Sequence, residues 1–249
     1  MLTERAELSI REIHELYLET LGNLRLNTET KRNIPLIQNQ LSSRMEHTLL
    51  RADATEKELE KLCEDARTFQ FRGVCVTPSD VRFCARKLEG SAALVVSVVD
   101  FPLGKGTPGT AAYQARRVVD EGAAEVDMVV DVRAILQGEL EKAATGIARV
   151  VEAAGCPVKV ILETGYLSES MLVQGCAVSF SAGAAFIKTS TGYGKRGASV
   201  RDIQLMRAAV GQSMHIKASG GIRDAAFARA LVAAGADVVG TSNGPACIQ

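Results

Sequence analysis

The chain has 249 residues, 47% of them hydrophobic and only 4% aromatic, and its 29 basic residues balance 29 acidic ones to a net charge of zero. That length suits one α/β barrel, and the neutral balance gives no reason to expect a nucleic-acid or acidic-membrane partner. Six scattered cysteines without a CxxC pair, three dispersed histidines, no run of about 18 apolar residues and a charge-alternating start from Met1 to Arg11 argue against a disulfide framework, a metal or other cofactor, a membrane span and a signal peptide, and point to a cytoplasmic protein.

In chain order, residues 1–43 stand apart. Leu8, Ile10, Ile13, Tyr17, Leu18 and Leu21 recur at helical spacing, which predicts an amphipathic helix over 4–21, and a polar stretch follows up to Pro35. We read 1–43 as an N-terminal helical extension that packs on the main body or on a second copy, so a homodimer is an admissible assembly. From residue 44 to 249 a βα rhythm predicts one catalytic domain. Its strands are Met45–Leu49, Ala93–Val99, Glu125–Val130, Val158–Leu162, Phe186–Thr189, His215–Ala218, Gly73–Val76 between the first two, and Val238–Thr241 at the end. Helices are predicted near 56–69, 79–88, 108–121, 139–154, 168–182, 199–210 and 224–235, with Thr55 and Ser199 as caps.

Eight such strands form either an open sheet or a closed barrel. Strands of an open parallel sheet are buried on both faces and read as apolar throughout. Here Val126, Met128 and Val130 oppose Glu125, Asp127 and Asp131; Val158, Val160 and Leu162 oppose Lys159 and Glu163; Ile216 and Ala218 oppose Lys217 and Ser219. Period-two alternation sends the apolar set to the helices and the charged set to a polar interior. The fold class is therefore α/β, a (β/α)8 TIM barrel.

On that reading Asp127, Lys159, Glu163, Lys188 and Lys217 point into one small volume, where unpaired charge is costly. Lys159 and Glu163 can be explained as a plain salt bridge. Lys188 and Lys217 sit near the C-terminal ends of their strands, where barrel enzymes keep their chemistry. A lysine amine attacks a carbonyl only when unprotonated, and both a neighbouring cation and desolvation favour that form. Lys217 supplies the cation for Lys188, and Asp127 is placed to move protons.

Glycine-rich stretches follow the last three strands: Gly192 to Gly197, Gly220-Gly221, and Gly240-Thr241-Ser242-Asn243-Gly244. Backbone N–H groups there suit an anion, so Gly192, Gly220, Gly221, Gly240, Ser242 and Asn243 are the expected phosphate binders, and a phosphorylated substrate is expected. The segment Gly192 to Gly197 also matches GxGxxG, but the next strand, His215 to Ser219, ends without the carboxylate that a dinucleotide site needs. From these residues alone an aldolase, another phosphate-binding barrel enzyme such as a sugar-phosphate isomerase, and a catalytically silent binding barrel all remain open.

Several motifs carry a resemblance: Glu46-His47-Thr48-Leu49-Leu50, Val74-Cys75-Val76, Phe101-Pro102-Leu103-Gly104, Glu125-Val126-Asp127-Met128-Val129, Lys159-Val160-Ile161-Leu162-Glu163-Thr164, Phe186-Ile187-Lys188-Thr189-Ser190-Thr191-Gly192 and Lys217-Ala218-Ser219-Gly220-Gly221-Ile222-Arg223. Together, in this order, they resemble deoxyribose-phosphate aldolases of the class I type over about residues 44 to 244. The resemblance implies reversible, metal-independent cleavage of 2-deoxy-D-ribose 5-phosphate to D-glyceraldehyde 3-phosphate and acetaldehyde. It implies Lys188 as the Schiff-base lysine, Lys217 as its perturber, Asp127 as proton relay, and Glu46, Thr48, Lys159 and Glu163 as supporting residues. The chain departs from the family pattern, which usually has Asp at 46, Asn at 77, Gly at 100, Asn at 131 and Ser at 243; here these are Glu46, Thr77, Asp100, Asp131 and Asn243.

Overall fold

β-Branched runs become strands wherever they are bounded by helices long enough to return the chain to the same edge. In the computed structural model, which describes residues 41–249, eight parallel strands close in sequence order into a (β/α)8 barrel. They are β1 Met45–Leu49, β2 Gly73–Val76, β3 Leu94–Val99, β4 Glu125–Val129, β5 Val158–Ile161, β6 Phe186–Lys188, β7 His215–Ser219 and β8 Val238–Thr241. The N-terminal extension expected over 1–43 lies, apart from its last three residues, outside the described residues.

The helices are α1 Glu56–Thr68, α2 Val81–Lys87, α3 Pro108–Asp120, α4 Val132–Leu136, α5 Leu140–Ala154, α6 Glu169–Ser181, α7 Val200–Val210, α8 Ala225–Ala234 and α9 Gly244–Ile248. Their starts are set by side chains that accept orphan N–H groups. Thr55 and Glu58 form a reciprocal capping box on α1, and Ser199 accepts from Asp202 N on α7. Two expectations need correction. The helix expected over 79–88 is a 3₁₀ turn, Pro78–Asp80, followed by the shorter α2. The short helices α4 and α9 were not expected; α4 begins at the cap Asp131, whose side chain accepts from Ala134 N. Among the described residues no helix is long and apolar enough to cross a membrane.

Alternation along the strands sorts the interior into two layers. Val74, Val126, Val160, Ile187, Ile216 and Val239 face outward and pack with helix residues such as Leu62, Val118, Ile147, Ile203 and Leu231 in one continuous apolar core. Each such side chain stabilises the fold by about 1.5–3 kcal/mol when fully buried. A smaller apolar group, Cys75, Val96 and Val98 with Leu50 and Phe101 against it, lines the lumen. The lumen also holds the Phe186 ring, with Lys159 Nζ 5.4 Å from its centroid, and a cluster of buried charges.

Candidate active site

Asp127 on β4 is the hub of the lumen. Its Oδ1 accepts from Lys159 Nζ at 2.9 Å, and its Oδ2 accepts from both Lys188 Nζ at 2.7 Å and Lys217 Nζ at 2.6 Å. Strand register makes this meeting unavoidable: Asp127 is paired with Lys159 across β4 and β5, and Lys188 with Lys217 across β6 and β7. Asp127, Lys159 and Lys217 are wholly buried and Lys188 is 3% exposed.

The network continues through Glu46, Glu125 and Arg72. Glu46 Oε2 accepts from Lys217, while its Oε1 lies 2.5 Å from Arg72 Nη1 and 3.5 Å from Lys159 Nζ. Glu125 pairs with Lys159 at 2.6 Å and takes both guanidinium nitrogens of Arg72, at 2.9 and 2.5 Å. Three carboxylates (Glu46, Glu125, Asp127) thus meet four basic groups (Arg72, Lys159, Lys188, Lys217). Buried charge is tolerated when it is balanced, so the excess of one basic group favours loss of a proton from one of them. Lys188 is the best candidate, since its single carboxylate oxygen is shared with Lys217.

The electrostatics agree in direction. Burial pulls the Lys188 amine below its ordinary value; Asp127 opposes this and Lys217 adds to it. Burial also acts on Lys217 and Lys159, but Asp127 and Glu46 outweigh it and hold both amines above the usual lysine value. Burial opposes ionisation of Asp127, yet Lys159, Lys188 and Lys217 keep it well below the usual carboxylate range. Desolvation is therefore the largest influence on Lys188, with the neighbouring cation secondary to it. An uncharged amine in this setting can add to a carbonyl, with a carboxylate at hydrogen-bond distance to receive or return a proton.

Above Lys188 and Lys217 a cavity of about 580 Å³ opens among the loops that follow the strands. Thr48, Gly192, Gly220, Gly221, Gly240 and Ser242, all candidates from the sequence, line it. Gly220 and Gly221 have φ of +90° and +74°, a left-handed pair that side chains disfavour. Arg223 also lines the cavity. It was not singled out from the sequence; the usable signal was a cation two residues beyond the glycine pair. Arg72 was likewise missed, while Glu125, read as facing the polar interior, is found there on Lys159 and Arg72.

Two predicted site residues lie elsewhere. Glu163 does not join the lumen charges. β5 ends at Ile161, so alternation no longer governs Glu163, which has φ +53°. Its carboxylate accepts from Thr191 N at 3.2 Å and from the Thr191 hydroxyl. The Lys159–Glu163 salt bridge is accordingly not formed; Lys159 pairs with Glu46, Glu125 and Asp127 instead. Asn243 is not part of the cavity wall. Its amide donates to Arg223 O at 3.3 Å, and its backbone N donates to Thr241 Oγ1, so it braces the turn between β8 and α9. Cys75 faces the lumen, 3.9 Å from Asp127 Oδ2, with its thiol pushed up by burial.

The chain matches a family model described as DeoC/LacD family aldolase over residues 43–247. It is similar to a deoxyribose-phosphate aldolase of Methanothermobacter thermautotrophicus, with 48% identity over 227 residues that cover 91% of this chain and 98% of that protein. A deoxyribose-phosphate aldolase of a Geobacillus species is 41% identical over 215 residues, 86% of this chain and 96% of that protein. Among solved structures, the tetrameric deoxyribose phosphate aldolase of Aeropyrum pernix superposes with a TM-score of 0.80 at 31% identity, covering 97% of each chain.

Proposed function

Because the chain belongs to the DeoC/LacD family of aldolases, we propose that it reversibly cleaves 2-deoxy-D-ribose 5-phosphate to D-glyceraldehyde 3-phosphate and acetaldehyde through a Schiff base on Lys188. The observation that carries this reading is the geometry of the lumen: four bases meet three carboxylates, and Lys188, the one that burial pulls below its ordinary value, shares its only carboxylate oxygen with Lys217 and stands at the floor of the cavity.

In the cleavage direction, the Lys188 amine adds to the substrate aldehyde carbon, and loss of water leaves an iminium. The C3 hydroxyl then gives up its proton, the C2–C3 bond breaks, and the electron pair flows into the iminium to form an enamine. D-Glyceraldehyde 3-phosphate departs. Protonation of the enamine carbon and hydrolysis release acetaldehyde and restore the amine. Asp127 is the proton carrier in this reading, since one of its oxygens touches both Lys188 and Lys217. Lys217, anchored by Glu46, stays a cation beside the iminium nitrogen and orients Asp127. Lys159 and Arg72 hold the far side of the cluster. The phosphate is assigned to Gly220, Gly221, Gly240 and Ser242, with Arg223 as a cation in the same cavity wall; Thr48 and Gly192 complete the wall.

The test is reduction with borohydride in the presence of acetaldehyde. A two-carbon increment on the Lys188 peptide, absent in Lys188→Ala, is expected, with cleavage lost in that variant and retained after treatment with EDTA. An unlabelled Lys188 peptide in active protein would refute the covalent step. A homodimer in a cytoplasmic setting is part of the same proposal, and its assembly is read by light scattering.

A further inference from the structure

Two cavities meet at the barrel mouth with one side chain standing between them. The first is the cavity above Lys188. The second, of about 280 Å³, lies over the ends of β4 and β5 and has an apolar wall that includes Leu103, Val132, Leu136 and Tyr166. Thr191 and Tyr193 line both. The Thr191 hydroxyl is committed to Glu163, so the Tyr193 ring is the dividing surface.

Tyr193 is 59% exposed, yet it is fixed at several points. Its hydroxyl donates across the mouth to Leu50 O at 3.0 Å, and its ring meets Phe101 edge-on with centroids 5.5 Å apart. Its backbone N donates to Thr191 Oγ1 at 3.0 Å. Leu50 and Phe101 continue the wall downward, because both pack on the apolar lumen group of Cys75, Val96 and Val98. Holding a large exposed side chain in one rotamer costs conformational entropy, so the two side-chain anchors need a reason beyond packing.

The second cavity supplies one. Five large apolar side chains are exposed among the described residues, and four of them (Leu103, Leu136, Tyr166 and Tyr193) line this cavity. Clustered exposed apolar surface attracts apolar ligands. Left open to Lys188, it would bury the tail of an aliphatic or aryl-alkyl aldehyde and draw such carbonyls into the reaction.

We propose that Tyr193 is a specificity-determining partition that confines the reacting carbonyl compound to the polar, glycine-walled cavity and shuts apolar-tailed aldehydes away from Lys188. The inference rests on the Schiff-base reading of Lys188, and the two are separable by experiment. Trapping of acetaldehyde on the Lys188 peptide of the wild type tests that reading alone. The partition is read from a ratio: borohydride-trapped hexanal over borohydride-trapped acetaldehyde on the Lys188 peptide, compared between the wild type and variants of the full chain.

Tyr193→Ala is expected to raise the ratio about 10-fold or more, the discrimination that a few apolar contacts provide. Tyr193→Phe keeps the ring and loses the bond to Leu50, so it shifts the ratio less. An unchanged ratio in Tyr193→Ala, or a parallel fall in both adducts, overturns the partition.

Discussion

Lys188 and Lys217 face each other across β6 and β7 and donate to the same oxygen of Asp127, at 2.7 and 2.6 Å. They are neighbours without being equivalent, because Lys217 has a second carboxylate in Glu46 and Lys188 has none. Replacing each by Met separates their charge states. Lys217→Met strips a charged partner from two buried carboxylates and is expected to cost about 3–5 kcal/mol. Lys188→Met removes an amine whose charged form burial disfavours, loses one hydrogen bond, and is expected to fall within about 1 kcal/mol of the wild type. Urea denaturation of the two variants decides the matter; equal large losses would mean that both amines are charged in the resting site.

The same pair sets a pH profile. Burial is the main cause of the low Lys188 value and Lys217 lowers it further, while Asp127 raises it. Removing Lys217 deletes a lowering influence and leaves the Asp127 oxygen to Lys188 alone. Both changes raise the Lys188 pKa, so the unprotonated amine appears only at higher pH. The rate of borohydride trapping of acetaldehyde in Lys217→Met is therefore expected to rise later on the pH axis than in the wild type, and to be reduced at neutrality by about 10²-fold or more. A profile that moves toward acid would contradict the assignment of Lys217 as the perturbing cation.

Glu46 extends this argument to the departure at that position. It is wholly buried and touches Lys217, Arg72 and Lys159. Glu46→Gln leaves four bases with two carboxylates and is expected to destabilise the barrel by about 3 kcal/mol. Glu46→Asp keeps the charge and shortens its reach by one methylene, so a smaller loss is expected. Equal midpoints for the wild type and Glu46→Gln in urea would show that the carboxylate is not holding the network.

Alternation made the barrel and its charged lumen legible, because Val126 and Met128 on one face and Asp127 on the other have no place in an open sheet. It failed where the strands stop. Glu163 lies two residues past β5 and Asn243 two past β8, and period two describes only paired backbone. Arg72 was invisible for a related reason: it precedes β2 by one residue and reaches the lumen by its length alone. The five-residue helices α4 and α9 are too short for a 3.6-residue period to register. Tyr193 read as part of a glycine loop, since its bond to Leu50 O joins residues far apart in the chain.

The phosphate assignment is tested at Gly197, away from the lysines. A Cβ there would lie 2.1 Å from Gly220 O, a contact that only backbone movement relieves. That same carbonyl accepts from Ala198 N at 3.1 Å, so the loops after β6 and β7 are tied together at this point. Gly197→Ala must therefore displace Gly220 and Gly221 from the anion position while leaving Lys188, Lys217 and Asp127 anchored in their strands. KM for 2-deoxy-D-ribose 5-phosphate is expected to rise about 10-fold or more, the loss of one charge-assisted contact, while kcat changes little. Unphosphorylated 2-deoxy-D-ribose has no phosphate to lose, so its kcat/KM should stay close to the wild-type value. If both sugars lose kcat/KM to the same extent, the glycine loops serve the shape of the site and the phosphate binds elsewhere.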